Sequence, residues 1–188
     1  MNSLGALLEV AAPQRGLFLV AQAGEVGVGG AQLRRMASRD VLERRSQGVY
    51  RIPTFPIDEY TELMEAVLWA NGRGRIAGES ALALWDVADV NPRTIHLIVP
   101  PEYNPRRHGG RLYTVRRTRL DQTDRDEIHG IPTVTAAAAI RQATTAGVPG
   151  DLIEQAILRC HAREHIGVET AANLRSALAL RGVTAGRR

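Results

Sequence analysis

One short stretch predicts the architecture of the N-terminal part of the chain. It reads AQLRRMASRDVLERRSQGVYRI, from Ala31 to Ile52. Apolar residues recur at helical spacing up to about Arg39, and a short strand, a turn that contains Gly48 and a returning strand follow. The stretch therefore predicts a helix and then a β-hairpin.

Two more helices are predicted before this stretch. Apolar residues repeat helically over Leu4–Ala11 and stop at Pro13, and a second helical pattern covers Leu17–Ala23. The glycines between residues 24 and 30 are interpreted as a tight turn between helices. Three short helices and a hairpin are typical of a winged helix-turn-helix, in which the last helix enters the DNA major groove and the hairpin reaches the neighbouring backbone.

Polar and basic side chains fall where such a unit would contact DNA. Arginine makes paired hydrogen bonds to phosphate and guanine, and a glutamine amide can pair with adenine. Phosphate contacts would supply most of the affinity. The alternative is a protein-docking module whose arginines only keep it in solution. The predicted DNA-binding residues are Gln32, Arg34, Arg35, Ser38 and Arg39 on the helix and Arg44, Arg45 and Arg51 on the hairpin.

Two prolines and the charge pattern divide the chain. Pro53 and Pro56 each fix their own φ and extend the preceding residue, so a helix cannot continue through them. We therefore predict a winged helix-turn-helix domain at residues 1–53 and a second domain at residues 57–188. The first segment carries a net charge of +3, whereas residues 54–90 carry −5. This alternation favours separate faces with separate partners.

The second domain is predicted to mix helices and strands and to end in a helical tail. A helical pattern starts at Ile76, and strands are predicted at Thr94–Val99 and Arg111–Arg117. A loop is predicted around Gly130, and the pattern is helical from Thr135 onward. The whole chain is therefore predicted to be α+β.

Composition excludes several classes of protein. All 24 basic residues are arginine, so mechanisms that need a lysine amine, such as a Schiff base or a phosphate-loop lysine, are excluded. The single cysteine, Cys160, excludes an internal disulfide framework and fits a reducing compartment. Neither a membrane span nor a secretory leader is predicted. We expect a cytoplasmic protein with no membrane association.

Two small groups of residues could form a phosphate site or a metal site. Arg73 and Arg75 precede Ser80 near a predicted helix start, where backbone N–H groups could hold a phosphate or a partner group; an ordinary capped helix explains the same residues. His161 and His165 fit the pattern H-x-x-E-H of some zinc proteases, but no third ligand is well placed. We predict no catalytic residue, no metal site and no cofactor.

Several segments resemble the AbiE-type (AbiEi) antitoxins, which act as transcriptional regulators in type IV toxin–antitoxin systems. The likeness lies in GLFLVA at residues 16–21, VGGAQLRRM at 28–36, GVYR at 48–51, GESALALW at 78–85, NPRTIHLIVP at 91–100 and GIPTVT at 130–135. The chain departs from the family at residues 139–142, which read AIRQ where many relatives have R-T-x-x-D.

The resemblance implies an antitoxin that neutralises a nucleotidyltransferase-like toxin and represses its own operon. It would bind an operator with inverted repeats as a homodimer. The alternatives are a phosphotransferase that acts on the toxin and a stand-alone winged-helix transcription factor.

A basic arm in the second domain has three open interpretations: solvated surface, an additional nucleic-acid contact, or docking to an acidic toxin. Its members are Arg106, Arg107, Arg111, Arg116, Arg117 and Arg119.

Overall fold

The computed structural model describes residues 3–105 and 110–185, and it is a mixed α+β fold, as predicted. The α-helices are α1 (Ser3–Ala11), α2 (Val20–Glu25), α3 (Gly30–Ala37), α4 (Thr61–Trp69), α5 (Gly78–Leu84), α6 (Ala136–Ala146), α7 (Gly150–Ala162) and α8 (Val168–Ala185). The strands are β1 (Leu17–Leu19), β2 (Glu43–Ser46), β3 (Val49–Arg51), β4 (Arg75–Ile76), β5 (Ile95–Val99), β6 (Tyr113–Arg117), β7 (Arg125–Ile128) and β8 (Ile131–Val134). No helix within these residues is long and apolar enough to cross a membrane.

The N-terminal unit packs α1, α2 and α3 against a three-stranded antiparallel sheet in the order β1-β3-β2. Its core forms because the three helices and the strands β1 and β3 contribute apolar side chains to the same cluster. Leu7 comes from α1, Leu33 from α3, Phe18 from β1 and Tyr50 from β3. The predicted hairpin is confirmed as β2 and β3.

The strand β1 is buried on both faces. Phe18 lies opposite Tyr50 in the β1–β3 register, and their rings stack with centroids 6.1 Å apart toward the N-terminal helices. Leu17 and Leu19 point to the other face, because successive strand residues alternate, and join the cluster that includes α4. The small sheet therefore lies between the N-terminal core and this second cluster, which also includes residues of α4, β4 and β5 and is called the main core.

The second sheet has five strands in the order β6-β5-β4-β8-β7. The pairs β6–β5 and β4–β8 are parallel, and the pairs β5–β4 and β8–β7 are antiparallel. The helices α4 and α5 contact this sheet, and α6, α7 and α8 pack on one another beyond α5. The helical C-terminal tail is thus confirmed.

Three local predictions are wrong. Leu17 was predicted to start a helix, but Leu17–Leu19 forms β1, since pairing with β3 buries three consecutive apolar side chains. Ile76 was predicted to start a helix, but it lies in the central strand β4. The loop predicted around Gly130 extends too far, because Ile131 and Pro132 lie in β8, although Gly130 itself is in the turn of the β7–β8 hairpin. The prediction of a domain boundary between residues 53 and 57 stays a prediction.

Two arginines of the N-terminal unit are paired with carboxylates beyond residue 57. Arg45 on β2 donates from Nε to Glu65 Oε2 on α4 at 2.9 Å, and this hydrogen bond raises the pKa of Arg45. Arg15 is bonded to Asp58 and donates to the carbonyl oxygen of His129 at 2.9 Å. The two ion pairs and the hydrogen bond to His129 link the N-terminal unit to the start of the second part, to α4 and to the turn of the β7–β8 hairpin.

A glycine permits the close approach of the chain at residues 53–56. Gly16 has φ of +80°, and a Cβ at this position would lie 2.6 Å from the Cβ of Phe55. Phe55 packs against the N-terminal core, so the segment after β3 lies on the protein rather than extending from it. Only glycine fits both constraints at this position.

We expect the ion pair between Arg45 and Glu65 to stabilise the fold. Glu65 is buried, so Arg45→Ala would leave its carboxylate without a charged partner and should lower the free energy of unfolding by about 1–3 kcal/mol. Arg44→Ala is the matched control, because Arg44 is exposed and should change stability by less than about 0.5 kcal/mol. Urea denaturation of both variants measures the difference, and equal losses would contradict this role.

The structure also predicts an unreactive thiol. Cys160 is fully buried on α7, and burial raises the pKa of its thiol to about 11. At pH 8 the folded protein should therefore leave Ellman's reagent uncleaved, whereas the protein in guanidinium chloride should release one equivalent of thionitrobenzoate, since the chain has one cysteine. Rapid stoichiometric reaction of the folded protein would be inconsistent with this burial.

Candidate nucleic-acid interface

Helix α3 carries exposed arginines and is held on the protein by a buried leucine. Leu33 is fully buried and holds the helix on the N-terminal core, while Arg34 and Arg35 are exposed on its outer side and Arg39 is exposed just after its end. None of these three arginines pairs with a carboxylate within residues 3–105 and 110–185. Their positive charge is therefore available to an external anion.

The two uncharged residues predicted on this helix already have partners inside the protein. Gln32 is half-buried, and its amide nitrogen donates to Ser3 Oγ on α1 at 2.9 Å. Ser38 donates from Oγ to the carbonyl oxygen of Arg35 at 2.9 Å and so satisfies a carbonyl at the end of α3. Both residues would have to exchange these bonds in order to contact a base.

The hairpin arginines differ in their availability. Arg44 on β2 is exposed and is without a carboxylate partner among the described residues. Arg45 is engaged by Glu65. Arg51 is only 3% exposed, and its Nη1 donates to Glu43 Oε2 at 3.0 Å while its Nη2 donates to the carbonyl oxygen of Phe55. Arg51 is a buried structural residue, and this burial disfavours its predicted DNA contact.

The predicted phosphate constellation is separated in space. Arg73 and Arg75 line one groove near β4, but Ser80 does not line it. Ser80 is buried on α5, where its Oγ accepts from the backbone N–H of His96 at 2.9 Å and joins α5 to β5. This burial and hydrogen bond disfavour the predicted role of Ser80 in a phosphate site.

The basic arm is described only in part. Arg106 and Arg107 lie outside the described residues. Arg111 is exposed in a short 3₁₀ turn before β6, and Arg116 and Arg117 are exposed on β6, which is an edge strand of the five-stranded sheet. Charged side chains on an edge strand also discourage pairing with another chain, so the three interpretations of the arm stay open.

The H-x-x-E-H segment forms the end of a helix. The helix α7 ends at Ala162, so His161 and His165 do not share a helical face; His161 Nδ1 lies 3.3 Å from the carbonyl oxygen of Ile166, and His165 packs edge-on against Trp85. Within residues 3–105 and 110–185, no group of three or more His, Cys, Asp or Glu side chains could hold a metal.

Sequence reasoning missed Arg15 and Arg125. Arg15 joins the two parts of the chain, and Arg125 lies in the same groove as Arg73 and Arg75. Asp124 and Asp126 flank Arg125 in the sequence, so this segment does not stand out as basic. The position of Arg125 follows from the pairing of β7 with β8.

Comparisons with known proteins are informative for the N-terminal unit. The crystal structure of the RV2827C protein from Mycobacterium tuberculosis is similar at 15% identity and a TM-score of 0.49, over 94% of this chain and 80% of that one. A search of curated proteins found no match. Residues 6–53 match a family model described as "Transcriptional regulator, AbiEi antitoxin", which confirms over these residues the resemblance predicted from the sequence.

Proposed function

We propose that the protein is an AbiEi-type antitoxin and transcriptional regulator whose residues 1–53 act as a winged helix-turn-helix on DNA. The single observation that carries this proposal is the group of exposed arginines on and just after α3, which have no carboxylate partner among the described residues and lie in the segment that matches the regulator family. In this proposal α3 lies in the major groove, and the β2–β3 hairpin is the wing that reaches the backbone.

The charge distribution supports a duplex as the ligand. Phosphate oxygens need cations that are not already neutralised, and Arg34, Arg35, Arg39 and Arg44 meet that condition. Arg35 is the residue we assign to a guanine edge, since an arginine fork pairs with two acceptors of guanine. The remaining arginines of this set position the unit on the backbone and carry little sequence information.

The second part of the protein is assigned the role of neutralising the toxin. We propose that residues 57–188 counter a nucleotidyltransferase-like partner, and that the protein represses its own operon as a homodimer on inverted repeats in the cytoplasm. A dimer is supported by the small number of base pairs that a single unit of this size can read. The exposed arginines of β6 give this part a surface for an acidic partner.

A double variant of α3 tests the DNA-binding proposal. Arg35→Ala combined with Arg39→Ala removes two exposed cations without touching the core and should weaken binding to the DNA upstream of the operon at least tenfold. The slope of log K against log salt should also become shallower by one to two units, because Arg39 of each protomer in the proposed homodimer would lose one phosphate contact. A gel-shift titration at several salt concentrations measures both quantities.

Arg93→Ala is the control, because Arg93 is exposed and lies in the second part of the chain. The control should bind the operator as the unchanged protein does, and the α3 variant should still rescue cells from the toxin. Unchanged DNA binding in the α3 variant, or simultaneous loss of rescue, would contradict the proposed division of roles.

A further inference from the structure

We propose that a groove at one end of the five-stranded sheet binds the phosphate group of a small, nucleotide-sized ligand. The groove has a volume of about 380 Å³ and lies at the turn before β4, the end of β5 and the segment after β6. This volume lies in the range of pockets that hold small ligands. The proposal concerns a site separate from α3 and the hairpin.

Four arginines from separate parts of the chain meet in this groove. Arg73 and Arg75 come from the turn and strand β4, Arg119 from the segment after β6, and Arg125 from the start of β7. The carboxylate that lines the groove with them is that of Glu102. The lining therefore carries a clear excess of positive charge.

Neutral partners hold three of these guanidinium groups. Arg75 donates from Nη1 to the carbonyl oxygen of Asp126 at 3.0 Å, and Arg125 donates from Nη2 to the carbonyl oxygen of Leu120 at 3.0 Å. Arg73 lies over the ring of Tyr103 with 5.0 Å to the ring centroid. Such contacts orient a cation without neutralising it.

The groove arginines are not neutralised by carboxylates within residues 3–105 and 110–185. Seven other arginines of the described residues form ion pairs with Asp or Glu, whereas none of the four groove arginines does. Burial and the nearby charge of Arg125 lower the pKa of Arg75, although Glu127 and Asp126 act in the opposite direction. An anion bound between these like charges would relieve their repulsion.

The walls of the groove explain why a nucleotide fits better than a bare anion. Three prolines and Leu120 present rigid apolar surface beside the arginines, which suits a base and a sugar while the cations take the phosphate. Planar guanidinium groups also match phosphate oxygens with paired hydrogen bonds. The prolines are Pro100, Pro101 and Pro132.

Calorimetric titration of the full chain with ATP, GTP, adenosine and tripolyphosphate tests the proposal. ATP or GTP should bind, tripolyphosphate should compete with it, and adenosine should bind far more weakly. Arg119→Ala combined with Arg125→Ala changes two exposed residues and should weaken nucleotide binding at least tenfold. Arg93→Ala, which alters an exposed arginine outside the groove, should bind as the unchanged protein does.

Circular dichroism and operator binding of the double variant establish that it is folded. Nucleotide binding that survives in the folded double variant would overturn the proposal, as would no heat of binding from any of the phosphate probes. Binding of an oligonucleotide that is lost in the variant, with no binding of ATP or GTP, would also overturn it, because the groove would then belong to a nucleic-acid surface.

Discussion

The pairing of β1 with β3 is the interaction on which the arrangement of the whole molecule depends. It places Phe18 and Tyr50 in the N-terminal core and Leu19 and Val49 in the main core. Burying both faces of so small a sheet is favourable only when helices cover each side, and α4 supplies the second cover. The N-terminal unit and the rest of the chain therefore share one sheet, and α3 is held in a fixed orientation.

Arginine performs two distinct tasks in this lysine-free chain. Where a carboxylate lies within reach, as for Arg45 with Glu65 and Arg51 with Glu43, the guanidinium holds elements together. Where neutral groups or solvent surround it, the charge stays available to a ligand. This division links the fold to the proposed function, because it separates arginines that could bind phosphate from those that could not.

Elements with a clear hydrophobic period were predicted correctly from the sequence. Elements that are buried on two faces were not. In residues 3–11 and 30–37 the apolar residues recur at helical spacing, and the ends of both helices were predicted within two residues. Leu17–Leu19 is apolar throughout because both of its faces are covered, and such a run has no period that separates a strand from a helix. Strand β4 is two residues long and depends wholly on its neighbours, so it left no local pattern.

The candidate site was predictable to a similar extent. The exposed arginines of α3 follow from helical spacing, but charge alone could not distinguish Arg44 from Arg51, which differ in burial.

Nuclear magnetic resonance of the arginine Nε–Hε groups, recorded as operator DNA is added, tests the account most directly. The signals of Arg34, Arg35, Arg39 and Arg44 should shift while those of Arg45 and Arg51 stay in place; shifts confined to Arg45 and Arg51, or none on α3, would contradict it.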